Sequence, residues 1–166
     1  MALTQNYVNK DCAGIAGVVR YYFTPFSNML TAVLTSNVVT AITQTVPWKK
    51  YDQEPEIANW KYTARFGAQG NRGYDFEGNF DSDGLNTLDQ EELVLLSNCK
   101  LACIAEMADG TFWMLGRQHG LRISGDAFDA GTKFEDFIGS KITFKGVSSV
   151  KMKKVDPDII PDLLSA

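Results

Sequence analysis

The chain has 166 residues, 45% hydrophobic and 22% charged, which suits one globular domain (1–166) with a core large enough to need no disulfide or metal staple. Its net charge of −4 argues against a surface built to clamp nucleic acid, which would carry a basic patch, while a mildly acidic surface lets nucleic acid pass. Cys12, Cys99 and Cys103 have no framework spacing and point to reduced thiols in an intracellular protein. Met1 to Asn6 lacks the basic start and apolar run of a signal peptide. Thr24 to Trp48 carries no charge, yet its Ser, Thr, Asn and Gln are too dense for a helix in lipid.

In chain order, the first predicted strand is Val18 to Phe23, entered through Cys12 to Gly17 and stopped by Pro25, since Val, Tyr and Phe favour a pleated surface and proline removes a ladder donor. The Thr- and Val-rich stretch Val38 to Val46 reads as extended structure with no obvious wet side. It suits an extra strand of the same core or a surface packed against another subunit.

A long hairpin over Ile57 to Asp81 follows. Ala58, Trp60, Tyr62, Ala64 and Phe66 alternate with Asn59, Lys61, Thr63 and Arg65; after the glycine-rich break 67–73, Tyr74, Phe76, Gly78 and Phe80 alternate with Asp75, Glu77, Asn79 and Asp81. Strict period two makes each arm a strand with one buried and one wet face. At about 3.3 Å per residue a ten-residue arm reaches roughly 33 Å, long for a small domain. The expected buried face is Trp60, Tyr62, Phe66, Tyr74, Phe76 and Phe80. The polar face of Lys61, Thr63, Arg65, Asp75, Glu77 and Asn79 is the candidate lumen-facing or assembly surface. A turn centred near Gly70 would set Arg65 opposite Asp75, Thr63 opposite Glu77 and Lys61 opposite Asn79, so that the basic and acidic arms attract. Such a hairpin fits an ordinary solvated sheet, or the wall of a larger barrel shared between subunits.

One amphipathic helix is predicted next: Thr87 and Gln90 match a capping box, Asp89, Glu91 and Glu92 place negative charge in the first turn, and Leu88, Leu95, Leu96 and Cys99 share a face. Leu101 to Met107 and Thr111 to Leu115 then flank Asp109-Gly110, a type I′ hairpin signal that would bring Ile104 near Leu115 and Met107 near Phe112. Gly116 to Gly120 reads as a turn, Leu121 to Ser124 as a short strand, and Gly125 to Phe137 as a loop whose Phe128, Phe134 and Phe137 must bury or bind something. Ile142 and Phe144 alternate with Thr143 and Lys145 in a last strand ending near Gly146. The proline-broken apolar tail from Pro157 to Leu164 either caps its own core or docks on a neighbour.

Chemical motifs fall short. Asn79 to Gln90 matches a calcium loop at its positions one, three, five and six, but Asn86 replaces the apolar residue and Gln90 the bidentate carboxylate. The segment 67–73 lacks the Lys-Ser/Thr pair of a phosphate loop and precedes a strand. His119 is the single histidine, so a histidine metal cluster or proton relay has nothing to build on. Cys99 and Cys103 match no redox or zinc spacing. No catalytic residue, metal ligand or cofactor is indicated.

The hairpin from Cys103 to Gly116, followed by His119-Gly120-Leu121 and by Ile142 to Gly146, together with the opening Asp11 to Gly17, resembles tail tube proteins of tailed phages, in particular those infecting Bacteroidota. The resemblance implies a mainly β (α+β) fold, an antiparallel β-sandwich or barrel with one flanking helix and a long extended hairpin. It implies a structural virion protein, assembled in the bacterial host cytoplasm, whose subunits form hexameric rings. These stack into a tube for genome delivery, with long hairpins as its inner wall. Partners so implied are other copies and the tape measure, terminator and baseplate proteins, with a sheath as a further candidate; double-stranded DNA passes without specific binding. The segments 1–17 and 155–166 are candidate arms between subunits. The alternatives are another virion component, such as a baseplate or head-to-tail connector protein, and a small-ligand or calcium-binding β-domain.

Overall fold

The period-two segments become strands almost throughout. A computed structural model describes residues 16–54, 56–83 and 87–165, with no side chains described at 83 and 87–89. In chain order the strands are β1 (Val18–Pro25), β2 (Met29–Thr35), β3 (Val38–Gln44), β4 (Lys49–Asp52), β5 (Asn59–Phe66) and β6 (Arg72–Asp83). After helix α1 (Thr87–Asn98) come β7 (Leu101–Met107), β8 (Phe112–Leu115), β9 (Arg122–Asp129), β10 (Gly139–Ser148), β11 (Lys153–Val155) and helix α2 (Ile160–Leu164). Seven strands form one sheet, ordered β2-β3-β11-β8-β7-β1-β4, and four form a second, ordered β5-β6-β10-β9. Among the described residues the fold is mainly β with two sheets and two α-helices, and the barrel is not closed.

Two cores explain the hydrophobic runs. Between the sheets, Tyr21 and Phe23 of β1 meet Phe76 and Phe80 of β6 and Ile142 and Phe144 of β10, with Leu93 and Leu96 of α1 in the same cluster. A second cluster gathers Tyr22, Val39, Trp48, Ile104, Met114 and Val155 with Ile160 and Leu163 of α2. Strand β7 contributes Leu101, Cys103 and Ala105 to the first core and Ala102 and Ile104 to the second. Burial on both faces is why it reads as an unbroken apolar run. The tail 157–164 therefore caps its own core, and Trp48 N–H donates to the Leu163 carbonyl at 2.9 Å.

Several expectations are corrected. The uncharged stretch is a two-strand hairpin whose tight turn places Ser36 and Asn37 at φ 51° and 68°; the Ser-Asn pair, with Asn tolerant of this conformation, was the overlooked signal. In α1 Leu96 is buried as expected, but its buried neighbour is Leu93, whereas Leu95 is 62% exposed. The β7–β8 register is one residue from that expected, pairing Cys103 with Leu115 and Ile104 with Met114. Only Gly110 of the Asp-Gly pair has positive φ, and its N–H donates to Met107 O at 2.9 Å. Met107 N–H in turn donates to Thr111 O, which makes the connection a three-residue turn with a bulge in place of the two-residue type I′. Strand β9 continues to Asp129 through the stretch expected to be loop, and the short β11 follows what was expected to be the last strand. The cap at Thr87 and the segment 1–15, with Cys12, lie outside the described residues.

Within the hairpin, Phe76 and Phe80 are fully buried, while Trp60, Tyr62 and Tyr74 are half-buried against the first core. Phe66 departs from expectation at 72% exposure. It closes β5 at the hairpin tip, beyond the last pairing of β10 at Tyr74, where no second layer covers it, and Arg72 lies over its ring at 5.9 Å. Trp60→Asp should lower unfolding free energy by at least about 2 kcal/mol, because it removes a packed indole and places a charge against the core. Thr63→Asp should cost about 1 kcal/mol or less, the repulsion from Asp75 opposite it. Urea denaturation of both variants checks the order; unfolding of Thr63→Asp would mean the two faces are reversed.

Candidate functional site

All six polar hairpin residues, Lys61, Thr63, Arg65, Asp75, Glu77 and Asn79, occupy one face of the four-stranded sheet, but in a register other than that expected. Lys61 pairs with Glu77, Thr63 with Asp75 and Asn59 with Asn79. Gly67 N–H donates to Asn71 O at 2.8 Å and Gly70 N–H to Gly67 O at 3.0 Å, which centres the turn on Gln69 rather than Gly70. Moving the centre by one residue shifts the pairing by two, and a shift of two preserves which face each side chain occupies.

The expected attraction between the arms takes a specific form. Glu77 forms ion pairs with Lys61 Nζ at 3.5 Å and, from the other side, with Lys145 Nζ of β10 at 3.6 Å. Arg65 reaches diagonally to Asp75 at 2.5 Å. These groups are solvated, so each pair contributes only about 0–1 kcal/mol and mainly fixes register. Asn79 is a backbone clamp: its Oδ1 accepts Asn59 N–H at 3.0 Å and its Nδ2 donates to Ile57 O at 3.3 Å.

Register carries the row onward from Lys61 and Glu77 to Lys145 of β10 and Arg122 of β9. Sequence reading missed these last two as members of the face. Alternation with Phe144 already put Lys145 on a wet side; the pairing of β10 with β6 is the part no local signal carries. Lys61, Arg65, Arg122, Lys141 and Lys145 share the face with Asp75, Glu77, Asp81 and Asp129, and Asp83 lies in the same register row as Asp129, so basic and acidic positions balance. A groove of about 590 Å³ runs beside it between Glu77, Lys145, Arg122 and His119, whose position at an exposed turn is the one expected.

The sheet also has two open edges. Among the described residues, strand β5 pairs only with β6, and β9 only with β10. With β5, β6, β10 and β9 successively antiparallel, the outer strands run in opposite directions.

A second polar cluster lies on the larger sheet and was not foreseen. Arg20 of β1 bridges Asp52 of β4 and Glu106 of β7, the latter at 3.2 Å, and Tyr22 O–H donates to Glu106 at 2.7 Å. Burial, then the Glu106 carboxylate, push the Tyr22 hydroxyl up to about 12, so it stays a donor at neutral pH. The cluster ties three strands together. Burial raises the Cys103 thiol well above its ordinary value, which keeps it protonated and unreactive.

Of the calcium-like segment, Asn79 and Asp81 lie within β6, paired with Thr143 and Lys141 of β10, and the residues from 84 to 86 are outside the described set. Among the described residues no three His, Cys, Asp or Glu side chains converge as a metal set, and no helix is long and apolar enough to cross a membrane. Comparison with protein-family models, curated proteins and solved structures finds no match to this chain.

Proposed function

We propose that this is a structural virion protein whose copies join through the edges of the four-stranded sheet into rings, stacked as the tube of a phage tail. The supporting observation is that sheet: one face on the core, one face wet and charged, and both edges open among the described residues. Open edges demand covering, because unpaired backbone groups recruit other strands. A rotation about a ring axis preserves strand direction, so β9 of one copy and β5 of the next meet antiparallel and the ladder continues without a break. Six copies, the number the tail tube resemblance implies, supply more strands than the roughly 16–18 that already enclose an aqueous channel.

In this reading the face of Lys61, Glu77 and Lys145 lines the conduit, the genome passes without sequence readout, and other tail proteins bind the ends of the tube. No residue is assigned to catalysis. Acidic positions balance the basic ones on this face, so the lumen would not hold DNA, and salt screens the local charges over about 8 Å at physiological strength. Negative-stain electron microscopy of the concentrated protein should show rings or tubes with a central opening. A protein that remains monomeric at high concentration would sink the reading.

A further inference from the structure

We propose that Phe134 of one copy of this chain inserts into the apolar groove beside Leu95 of a second copy, a head-to-tail contact made by a loop and a helix rather than by sheet edges. The contact deepens the ring reading and rests on its self-association.

Phe134 is fully exposed in the β9–β10 connection, so its ring buries nothing in its own copy. The loop holds it there. The Asp136 carboxylate accepts the backbone N–H groups of Thr132 and Lys133, each at 2.8 Å, and Asp129 accepts that of Gly131 at 2.9 Å. Gly131 supplies the left-handed φ of 67° that the turn needs. A ring presented by a hydrogen-bonded turn has already lost much of the freedom that binding would otherwise remove.

The same chain carries a receptor. A groove of about 290 Å³ opens between the C-terminal half of α1 and the ends of β1 and β4, walled by Phe23, Pro47, Leu95, Leu96 and Leu101. Leu95 at its side is 62% exposed and points to no partner in its own core. Charge selects the orientation. Lys133 and Glu135 flank Phe134, and Lys49 and Glu92 line the groove, so an inserted ring brings Lys133 toward Glu92 and Glu135 toward Lys49. One knob and one receptor at different places on each chain give a heterologous contact, the kind that propagates from copy to copy.

The test places a photoreactive benzophenone at position 134 (Phe134→p-benzoylphenylalanine) in the full chain, mixes it with an isotopically heavy copy, irradiates, and maps the adducts by mass spectrometry. Light-to-heavy adducts at Leu95, Leu96 or Pro47 are expected, reduced at least tenfold by Leu95→Asp. Adducts confined to one copy, adducts elsewhere, or none overturn the insertion. Sedimentation of Phe134→Asp supplies a second readout: associated species should fall at least tenfold with the circular dichroism unchanged, and wild-type association of that variant also overturns it. Rings that persist in Phe134→Asp leave the sheet-edge reading standing while the insertion fails. Open chains that depend on Phe134, without rings, do the reverse.

Discussion

Phe144→Ala should lower the unfolding free energy by about 3–5 kcal/mol, the range for deleting a buried phenyl ring. The ring is fully buried, sits edge-on to Tyr21 and Phe23 at 5.5 and 5.8 Å, and lies 6.3 Å from Phe80. It also covers Gly78 on the neighbouring strand: a Cβ there would fall 2.3 Å from Phe144 Cζ and 3.0 Å from the Asn59 carbonyl. Gly78→Ala alone should therefore cost about 1–3 kcal/mol through overpacking. The two changes compensate. In the Phe144→Ala background the new methyl enters vacated space, and the double variant should be more stable than the sum of the singles by about 0.5–3 kcal/mol. Rescue stays incomplete because the Asn59 contact remains. Urea unfolding of all four proteins measures the coupling, and strict additivity would show that the ring does not lie over the glycine.

That pairing illustrates what the sequence reveals and what it withholds. Gly78 sits in the apolar phase of an alternating strand, so its inward direction is legible; that Phe144, 66 positions further on, fills the gap is not. The faces of β5 and β6 are readable because period two survives any even shift, and the exact register is lost because it depended on one hydrogen bond in the Gly67–Asn71 tip. Helical spacing puts both Leu95 and Leu96 on the buried side of α1; Leu96 is buried there, joined by Leu93, and Leu95 is exposed. Two adjacent leucines differ by about 100° around a helix, and only the position of the sheet decides between them. Arg20, Asp52 and Glu106 come from three distant strands, and nothing local marks them as neighbours. β11 escaped because three residues are too few to show alternation; it is held by β3 and β8 on either side.

Cysteines placed on the wet faces of the two open edges should join copies of this chain into a covalent ladder that ends at the subunit number of the ring. One series carries cysteine at Lys61, Thr63 or Arg65 on β5, combined with cysteine at Arg122, Ser124 or Ala127 on β9, in a background with Cys12 and Cys99 replaced by serine. Arg122 and Ala127 lie opposite Lys145 and Lys141, and Ser124 lies 3.1 Å from the Thr143 hydroxyl, so all three β9 positions share the face of the hairpin charges. Neighbouring strands lie about 4.8 Å apart and same-face positions recur roughly every 6.6 Å along each strand. A disulfide tolerates Cα separations up to roughly 7 Å. The combinations therefore sample successive registers of an antiparallel β9–β5 junction, and at least one should bridge under mild oxidation. The single-cysteine proteins are the internal control: a β5 cysteine that yields dimers alone signals two-fold pairing of β5 with itself, which cannot build a ring. A ladder that needs both cysteines and stops at a fixed size establishes closure through the sheet edges. Failure of every combination, with the fold intact by circular dichroism, would remove the shared barrel and with it the conduit.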